Sequence, residues 1–454
     1  MIRFVHTADI HFGMENYGKI DPKTGIHSRL LDFEQSLNTC IDYAIKHDVD
    51  FFMFSGDAYK TATPSPTQQK LLMRCFIRLY QAKIPLVIVV GNHDNPLSFG
   101  KANSLDIFGS LPVDGFHVFA KPDKLLLQTK SGPIQIVGIP WPNRHNIALK
   151  DDYYGQTATD ITEQISQALA KIITKLASQL DPTLPAILAG HLTVSNGLFS
   201  GSERKAIYGQ DPVLMPSQLA ISPFDYVALG HLHRFQNLNE GGIPIVYSGS
   251  IDRIDFGERK EEKGFCVVTI DTETSSCAKA PADLRKKCTF EFVQLQTRPF
   301  IQIDVILEEE IAASVQASPE AMPDEAGAML ARRSTNIGGA KVDQTSQILM
   351  ALRKHELKDA IVKITYKLPV TAIDQVDVKK IQLACSHAMY LVAIIPIRDI
   401  ATRSYRSILS SEMDLQTLLK NYFDSKENLK PRSENLIEKT LQLQHDVDDE
   451  EACL

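Results

Sequence analysis

Apolar residues in this chain come in short runs that stop at a glycine or a polar cluster. Leu86 to Val90 is the clearest case: an apolar, mostly β-branched run ends at Gly91, and Asn92, His93 and Asp94 follow with no spacer. A run that short reads as a strand covered on both faces, and the glycine permits the sharp turn after it. The same design recurs. Phe51 to Phe54 leads into Ser55, Gly56 and Asp57, Ala186 to Ala189 into Gly190 and His191, and Tyr226 to Leu229 into Gly230, His231, Leu232 and His233. Ile2 to Val5 runs toward Asp9 and His11, and further strands are predicted over 135–139, 243–247 and 264–270.

Between these runs the period is helical. Phe33, Leu37, Ile41 and Ala44 recur over 28–47, Leu72, Phe76 and Leu79 over 67–83, and Ile161, Ile165, Leu169, Ile172 and Leu176 over 159–180. Alternating strands and helices predict an α/β domain over 1–280, with residues 100–150 less regular. At 271–290 the chain turns to Ser, Thr, Ala and Lys with little periodicity, which places a boundary there. Beyond it, alternating strand and helix patterns from 300 to 395 predict a small α+β domain over 290–400. An insertion rich in Ala, Ser, Pro and Gly at 312–344 interrupts it and reads as mobile. Leu415, Leu418, Leu419 and Tyr422 form one helical face and Leu436, Ile437 and Leu441 a second, so 405–445 reads as C-terminal helices.

Composition adds bounds. At 454 residues, 44% hydrophobic and 23% charged, the chain is expected to be a soluble globular protein of two or three domains. No run approaches the roughly 18 apolar residues of a membrane span, and the first residues read as a strand and not as a signal peptide. Cys40, Cys75, Cys266, Cys277, Cys288, Cys385 and Cys453 are scattered, with no Cys-x-x-Cys pair. They indicate neither a zinc finger nor a disulfide framework and fit a reducing cytoplasm. The net charge of −7 does not advertise nucleic-acid binding. Part of that deficit sits in the tail, at Asp446, Asp448, Asp449, Glu450 and Glu451, and carboxylates of a metal centre would account for more.

The chemistry lies at the strand ends. Asp9, His11, Asp57, Asn92, His191, His231 and His233 each follow an apolar run, and Gly56, Gly91, Gly190 and Gly230 directly precede four of these clusters. Taken singly, a histidine after a strand is an ordinary loop residue and Gly-Asp an ordinary turn. Taken together, parallel strands of one sheet would deliver these side chains to the same edge. Carboxylates, a carbonyl and imidazoles suit a pair of divalent first-row ions, which can clamp a phosphate and activate water for in-line attack. Asp57, central in the order, is the candidate to bridge them. His6, His27, His47 and His145 lack the pattern.

These motifs resemble those of the calcineurin-like metallophosphoesterases: Asp9-x-His11, Gly56-Asp57, Gly91-Asn92-His93-Asp94, Gly190-His191 and Gly230-His231-x-His233. More narrowly, the start from His6 to Gly13, the stretch Tyr226 to Arg234 and Tyr247 to Ser250 are similar to the SbcD family, which supplies the nuclease component of the bacterial SbcCD complex. The resemblance implies a two-sheet sandwich flanked by helices, followed by a small α+β capping domain and C-terminal helices. It implies one metal on Asp9, His11, Asp57 and His233 and another on Asp57, Asn92, His191 and His231, with manganese as the ion. His93 matches the family's non-ligand histidine, which stabilises the transition state or protonates the leaving oxygen, and Asp94 would orient it through its other ring nitrogen. Some relatives carry a second histidine three residues past the bridging aspartate, where this chain has Lys60. The implied function is a DNA nuclease acting in repair, recombination and replication, a 3′→5′ exonuclease on duplex ends and an endonuclease on single strands or hairpins. Its partner would be a coiled-coil ATPase of SbcC type, docked by the C-terminal helices, in a heterotetramer with two copies of each subunit. Arg234, Arg253, Arg259 and Lys260 flank the site loops and could contact DNA phosphates or simply be solvated. The alternatives are a small-molecule phosphodiesterase or phosphatase on the same site, and a scaffold, which would require eroded ligands; none is missing.

Overall fold

The expected strands of the first 270 residues form, and they are almost wholly buried. The computed structural model describes the chain except residues 97–100, 143–156, 202–210, 272–287, 308–342, 370–371, 399–414, 425–428 and 452–454. In order, the elements are β1 (Ile2–Thr7), α1 (Ser28–Lys46), β2 (Phe51–Phe54), α2 (Pro66–Gln81), β3 (Leu86–Val89), α3 (Asp106–Gly109), β4 (Phe116–Phe119), β5 (Asp123–Thr129) and β6 (Gly132–Ile139). They continue with α4 (Ala158–Ala177), β7 (Ala186–His191), β8 (Thr193–Val194), β9 (Val213–Leu214), α5 (Pro216–Leu219), β10 (Tyr226–Gly230), β11 (Gln236–Asn237), β12 (Ile245–Tyr247), β13 (Gly264–Ile270) and β14 (Cys288–Gln294). After these come β15 (Phe300–Ile306), α6 (Gln344–Leu352), β16 (Ile361–Leu368), α7 (Val378–Ala384), β17 (Tyr390–Arg398), α8 (Leu415–Asp424) and α9 (Ser433–Glu451).

Two six-stranded sheets carry the first part of the chain, in the orders β14-β13-β1-β2-β3-β4 and β11-β12-β10-β7-β6-β5. Strands β1 to β4 run parallel, as do β6, β7, β10 and β12, so their carboxyl ends share an edge within each sheet. Side-chain alternation sets the layers. Phe4, Phe51, Met53, Val87 and Val89 of the first sheet meet Ile134, Ile136, Ile187, Ala189, Tyr226 and Ala228 of the second in one inter-sheet core. Their neighbours Val5, Phe52, Phe54, Leu86 and Ile88 point the other way, onto α1 and α2, and Leu188, Val227 and Leu229 onto α4. Both faces of these inner strands are therefore dry, which is why they read as continuous apolar runs and not as alternating ones. The helix starts are local: Ser65 with Gln68, and Thr157 with Asp160, make capping boxes before α2 and α4.

Six strands escaped the sequence pattern: the two-residue β8, β9 and β11, and the longer β4, β5 and β14. β5 is an edge strand whose exposed face carries polar residues around Leu125 and Leu127. β4, also an edge strand, is only partly buried. β14 alternates exposed and half-buried positions, and it completes the first sheet beyond residue 280, where the sequence placed the first domain's end.

The chain falls into two compact units. The first comprises Met1–Ile303, Ile348–Ile364 and Asp377–Ile394, and the second Asp304–Gln347, Thr365–Val376 and Ile395–Leu454. Within the first, Arg298 forks onto Asp32 of α1 at 2.9 and 2.7 Å, and Phe256, Phe300 and Ile361 form a small core with Tyr17 and Tyr390. Within the second, α8 lies against α9, Ile437 is buried and Tyr422 is exposed. The side chains of Leu415 and Leu418, nearly all of the 312–344 insertion, His145, Cys277 and Cys453 lie outside the described residues. Among the described residues no helix is long and apolar enough to cross a membrane.

The two sheets come into backbone contact where β10 ends. A Cβ on Gly230 would lie 2.1 Å from the Ser55 carbonyl oxygen and 2.8 Å from Ala8 Cβ. Gly230→Ala should therefore destabilise the fold by about 1–3 kcal/mol, the usual range for overpacking, read as a lower denaturant midpoint. An unchanged midpoint would mean that the sheets part freely at this point.

Candidate metal centre

The strand ends converge, but from two sheets and not from one. β1, β2 and β3 of the first sheet deliver Asp9, His11, Asp57 and Asn92, while β7 and β10 of the second deliver His191, His231 and His233. The sandwich brings both carboxyl edges to the same end. Glycine makes the approach possible: a Cβ on Gly56 would meet His191 Nδ1 at 2.4 Å, and one on Gly91 would meet Asp57 Oδ1 at 2.1 Å. The chain also accepts strain here. Asp9, His11, Asp57 and His231 hold φ of +54°, +54°, +58° and +102°. Such conformations cost non-glycine residues about 1–3 kcal/mol each and cluster at functional sites.

The side chains form two groups that meet at Asp57. On one side His11 Nε2 lies 3.1 Å from His233 Nε2 and 3.7 Å from Asp57 Oδ2. Ligand atoms of Asp9, His11 and His233 lie within 4.8 Å of one another, as do those of Asp9, Asp57 and His191. On the other side His191 Nε2 lies 3.3 Å from Asp57 Oδ2 and 2.9 Å from Asn92 Oδ1, and His231 Nδ1 lies 3.2 Å from the same Asn92 oxygen. A carbonyl only accepts, so His191 Nδ1, 2.8 Å from the Ser55 oxygen, carries its proton there and turns Nε2 to the centre. The His231 backbone N–H donates to both Asp9 oxygens at 3.0 and 3.1 Å, tying the two sheets together.

This donor set fits divalent ions. Burial holds the His11 and His231 imidazoles well below their ordinary pKa, which leaves neutral rings with lone pairs. Burial raises the Asp57 carboxyl, yet His191, His93 and His11 outweigh it and leave it well below the usual carboxylate range. An ionised carboxylate ringed by imidazole nitrogens is a first-row metal environment.

Asp94 differs from expectation. It does not touch the His93 ring; His93 Nδ1 instead faces the Lys60 carbonyl oxygen at 2.8 Å. The Asp94 carboxylate is fully buried and accepts from the backbone N–H groups of Ala58, Tyr59 and Gly91 at 3.0, 3.2 and 3.1 Å. It clasps the loop after β2 to the loop after β3. His93 itself is exposed, donates its backbone N–H to Asp57 Oδ1 at 2.9 Å, and has its ring nitrogen within reach of the His11–Asp57 cluster. Lys60 thus contributes its main chain where some relatives place a histidine. Arg253 also differs: its guanidinium donates to Thr297 and to the carbonyls of Arg298 and Glu261, so it faces protein and not a solvent-borne phosphate. Arg234 is exposed.

Other residues at the centre were not singled out from the sequence. Trp141, the single tryptophan, lies two residues past β6 with its ring 4.7 Å from that of His231, and the strand-end rule could have found it. Asp211 Oδ2 lies 3.8 Å from His231 Nε2, on no recognisable motif. Glu258 accepts from His233 Nδ1 at 2.8 Å and is wholly buried. Its surroundings, Arg259, Lys260, Glu261, Glu262 and Lys263, read as a solvated charge run.

Removing the Asp94 carboxylate should loosen the centre itself. Asp94→Ala leaves three buried N–H groups without acceptors, each costing about 1–3 kcal/mol. Both Tm and Mn²⁺ affinity should fall. Had Asp94 only oriented His93, turnover would drop with Tm unchanged, so the pair of measurements separates the two roles.

Residues 2–235 match the family Calcineurin-like phosphoesterase. Two curated proteins named as the D component of the nuclease SbcCD are similar. That of Staphylococcus epidermidis is 29% identical over 60% of this chain and 66% of its own length. That of Staphylococcus saprophyticus is 27% identical over 67% and 71%. This chain thus spans slightly under two thirds of the first relative's length. Among solved structures, a dimetal phosphatase from Danio rerio aligns with TM-score 0.35 and 11% identity over 59% of this chain and 92% of that one. The protein TT1561 of Thermus thermophilus aligns with TM-score 0.32 and 13% identity over 58% and 93%. With more than half its length matched to the family and the strand-end motifs converging as described, the chain belongs to the calcineurin-like phosphoesterases.

Proposed function

We propose that this protein is the nuclease subunit of an SbcCD-type complex and hydrolyses DNA phosphodiester bonds at a two-metal centre. The observation that carries the reading is the position of Asp57 Oδ2, 3.7 Å from His11 Nε2 and 3.3 Å from His191 Nε2, where two donor groups share one carboxylate. Asp9, His11, Asp57 and His233 hold one ion, and Asp57, Asn92, His191 and His231 the other, with manganese as the ion used. When bound, such a pair supplies Lewis acidity to the phosphoryl oxygens and an acidified water for in-line attack. The relatives named for the SbcCD nuclease support DNA as the substrate over a small phosphoester.

The chain's own residues supply the rest. His93 stands exposed beside His11, ring centroids 5.0 Å apart, with Nδ1 anchored on the Lys60 carbonyl. As the doubly protonated imidazolium it keeps Nδ1–H on that carbonyl and turns Nε2–H to the scissile phosphate, where it donates a hydrogen bond to a phosphoryl oxygen or its proton to the leaving oxygen. Arg234, exposed next to His233, holds the DNA backbone by charge. We assign the two-sheet sandwich, expected over 1–280 and extended by β14 to Gln294, to the nuclease domain, the chain from there to 400 to a capping domain, and 405–445 to docking on a coiled-coil ATPase of SbcC type, with two copies of each subunit. The reactions are 3′→5′ exonuclease action on duplex ends and endonuclease action on single strands or hairpins, in cytoplasmic DNA repair, recombination and replication.

Nuclease assays with Mn²⁺, with and without the ATPase partner, test this reading. Activity on small phosphodiesters with none on DNA would favour a small-molecule phosphodiesterase. His93→Ala should keep its metal content while DNA cleavage falls about 10²–10⁴-fold, as for a lost general acid; loss of metal would move His93 into the ligand set. Truncation after residue 400 should leave metal binding intact and abolish capture of the ATPase in a pull-down. Retained capture would remove the docking role from the C-terminal helices.

A further inference from the structure

We infer that Glu258 is a positioning residue for one of the two metal positions: pinned by Lys263, it fixes His233 as the Nδ1–H tautomer and leaves the Nε2 lone pair facing the centre. The inference rests on the metal reading above, which gives His233 its ligand role.

The geometry is one-directional. Glu258 Oε1 lies 2.8 Å from His233 Nδ1, and Oε2 accepts from Lys263 Nζ at 2.8 Å and from the Ile254 N–H at 3.0 Å. Two donors thus demand an oxygen on the Oε2 side. Lys263 Nζ also donates to the His233 carbonyl oxygen at 3.0 Å and to Glu261 Oε2 at 3.1 Å. His233 is therefore gripped twice by the same pair, at the ring and at the main chain. The side chains of Glu258 and Lys263 are both fully buried. A buried ion pair is a poor way to gain stability, because an apolar pair of similar volume often does as well. What this pair supplies is direction. A carboxylate held as an acceptor draws the single proton of a neutral imidazole to Nδ1. Nε2, 3.1 Å from His11 Nε2 and grouped with Asp9, then carries the ring's lone pair toward the centre. Partners of this kind orient ligand histidines, and losing one weakens metal binding about 10–100-fold. At His231 the nearest described carboxylate, Asp211, stands 3.8 Å from Nε2, beyond hydrogen-bond distance, and Nδ1 meets the Asn92 carbonyl oxygen at 3.2 Å instead.

Glu258→Gln is nearly isosteric and reverses the pattern. Lys263 and the Ile254 N–H still require an oxygen, so the amide nitrogen turns to His233 Nδ1, and the ring proton moves to Nε2. Long-range ¹H–¹⁵N spectra of the full chain, histidine-labelled and freed of metal by chelation, read this directly. The His233 signal, identified by its loss in His233→Gln, should show the Nδ1–H pattern in the wild type and the Nε2–H pattern in Glu258→Gln. Calorimetric titration with Mn²⁺ should show two sites in the wild type. In Glu258→Gln one site should be unchanged and the other weakened about 10–100-fold. Fluorescence of Trp141, which lies against His231 in the other donor group, should respond to Mn²⁺ alike in both proteins. An Nε2–H pattern in the wild type overturns the inference, and so does unaltered two-site binding in Glu258→Gln; either leaves the metal reading standing. A wild type that binds no Mn²⁺ overturns the metal reading, and with it the ligand role given to His233. If Glu258→Gln does not fold, the wild-type spectrum decides alone.

Discussion

The structure depends on how closely two sheet edges can approach. The Ser55 carbonyl, the Ala8 methyl and the backbone of Gly230 occupy a space that no side chain could share. Gly56 meets the same limit against His191, and Gly91, within the first sheet, against Asp57. Because the backbones touch there, a short aspartate on one sheet can face a histidine on the other. A wider gap would leave two separate sets of loop residues and no common centre.

That proximity carries a cost that the surrounding structure absorbs. Four candidate ligands hold left-handed backbone, and at least four ionisable groups are buried together. The inter-sheet core and the helices on both outer faces supply the burial that offsets this. Hydrogen bonds then remove the remaining freedom. Asp94 clasps two loops through three backbone N–H groups, Ser55 aims His191, and the His231 N–H is bound to Asp9. Glu258 is held at about 2 because Lys263 and His233 outweigh the effect of burial, so it stays an acceptor throughout the neutral range.

The strand ends were legible because everything they need is adjacent in the chain. An apolar run and a ligand, with a glycine between them everywhere but before Asp9 and His11, form one local signal, and it marked Asp9, His11, Asp57, Asn92, His191, His231 and His233. Edge strands were harder to read. β5 and β14 bury little of one face, so their polar residues hide the pattern.

The sequence by itself determined which side chains stand at strand ends and that the strands are dry on both faces, since both follow from neighbours along the chain. Only the tertiary structure decided that the strands divide between two sheets, that Asp94 binds backbone 36 residues away instead of the adjacent His93, and that Glu258 lies behind His233 across 25 residues. Hydrogen-bond partners so far apart leave no periodicity in a sequence. They are chosen by which loops the packed sheets bring together, and a buried carboxylate looks like a surface one until that packing is known.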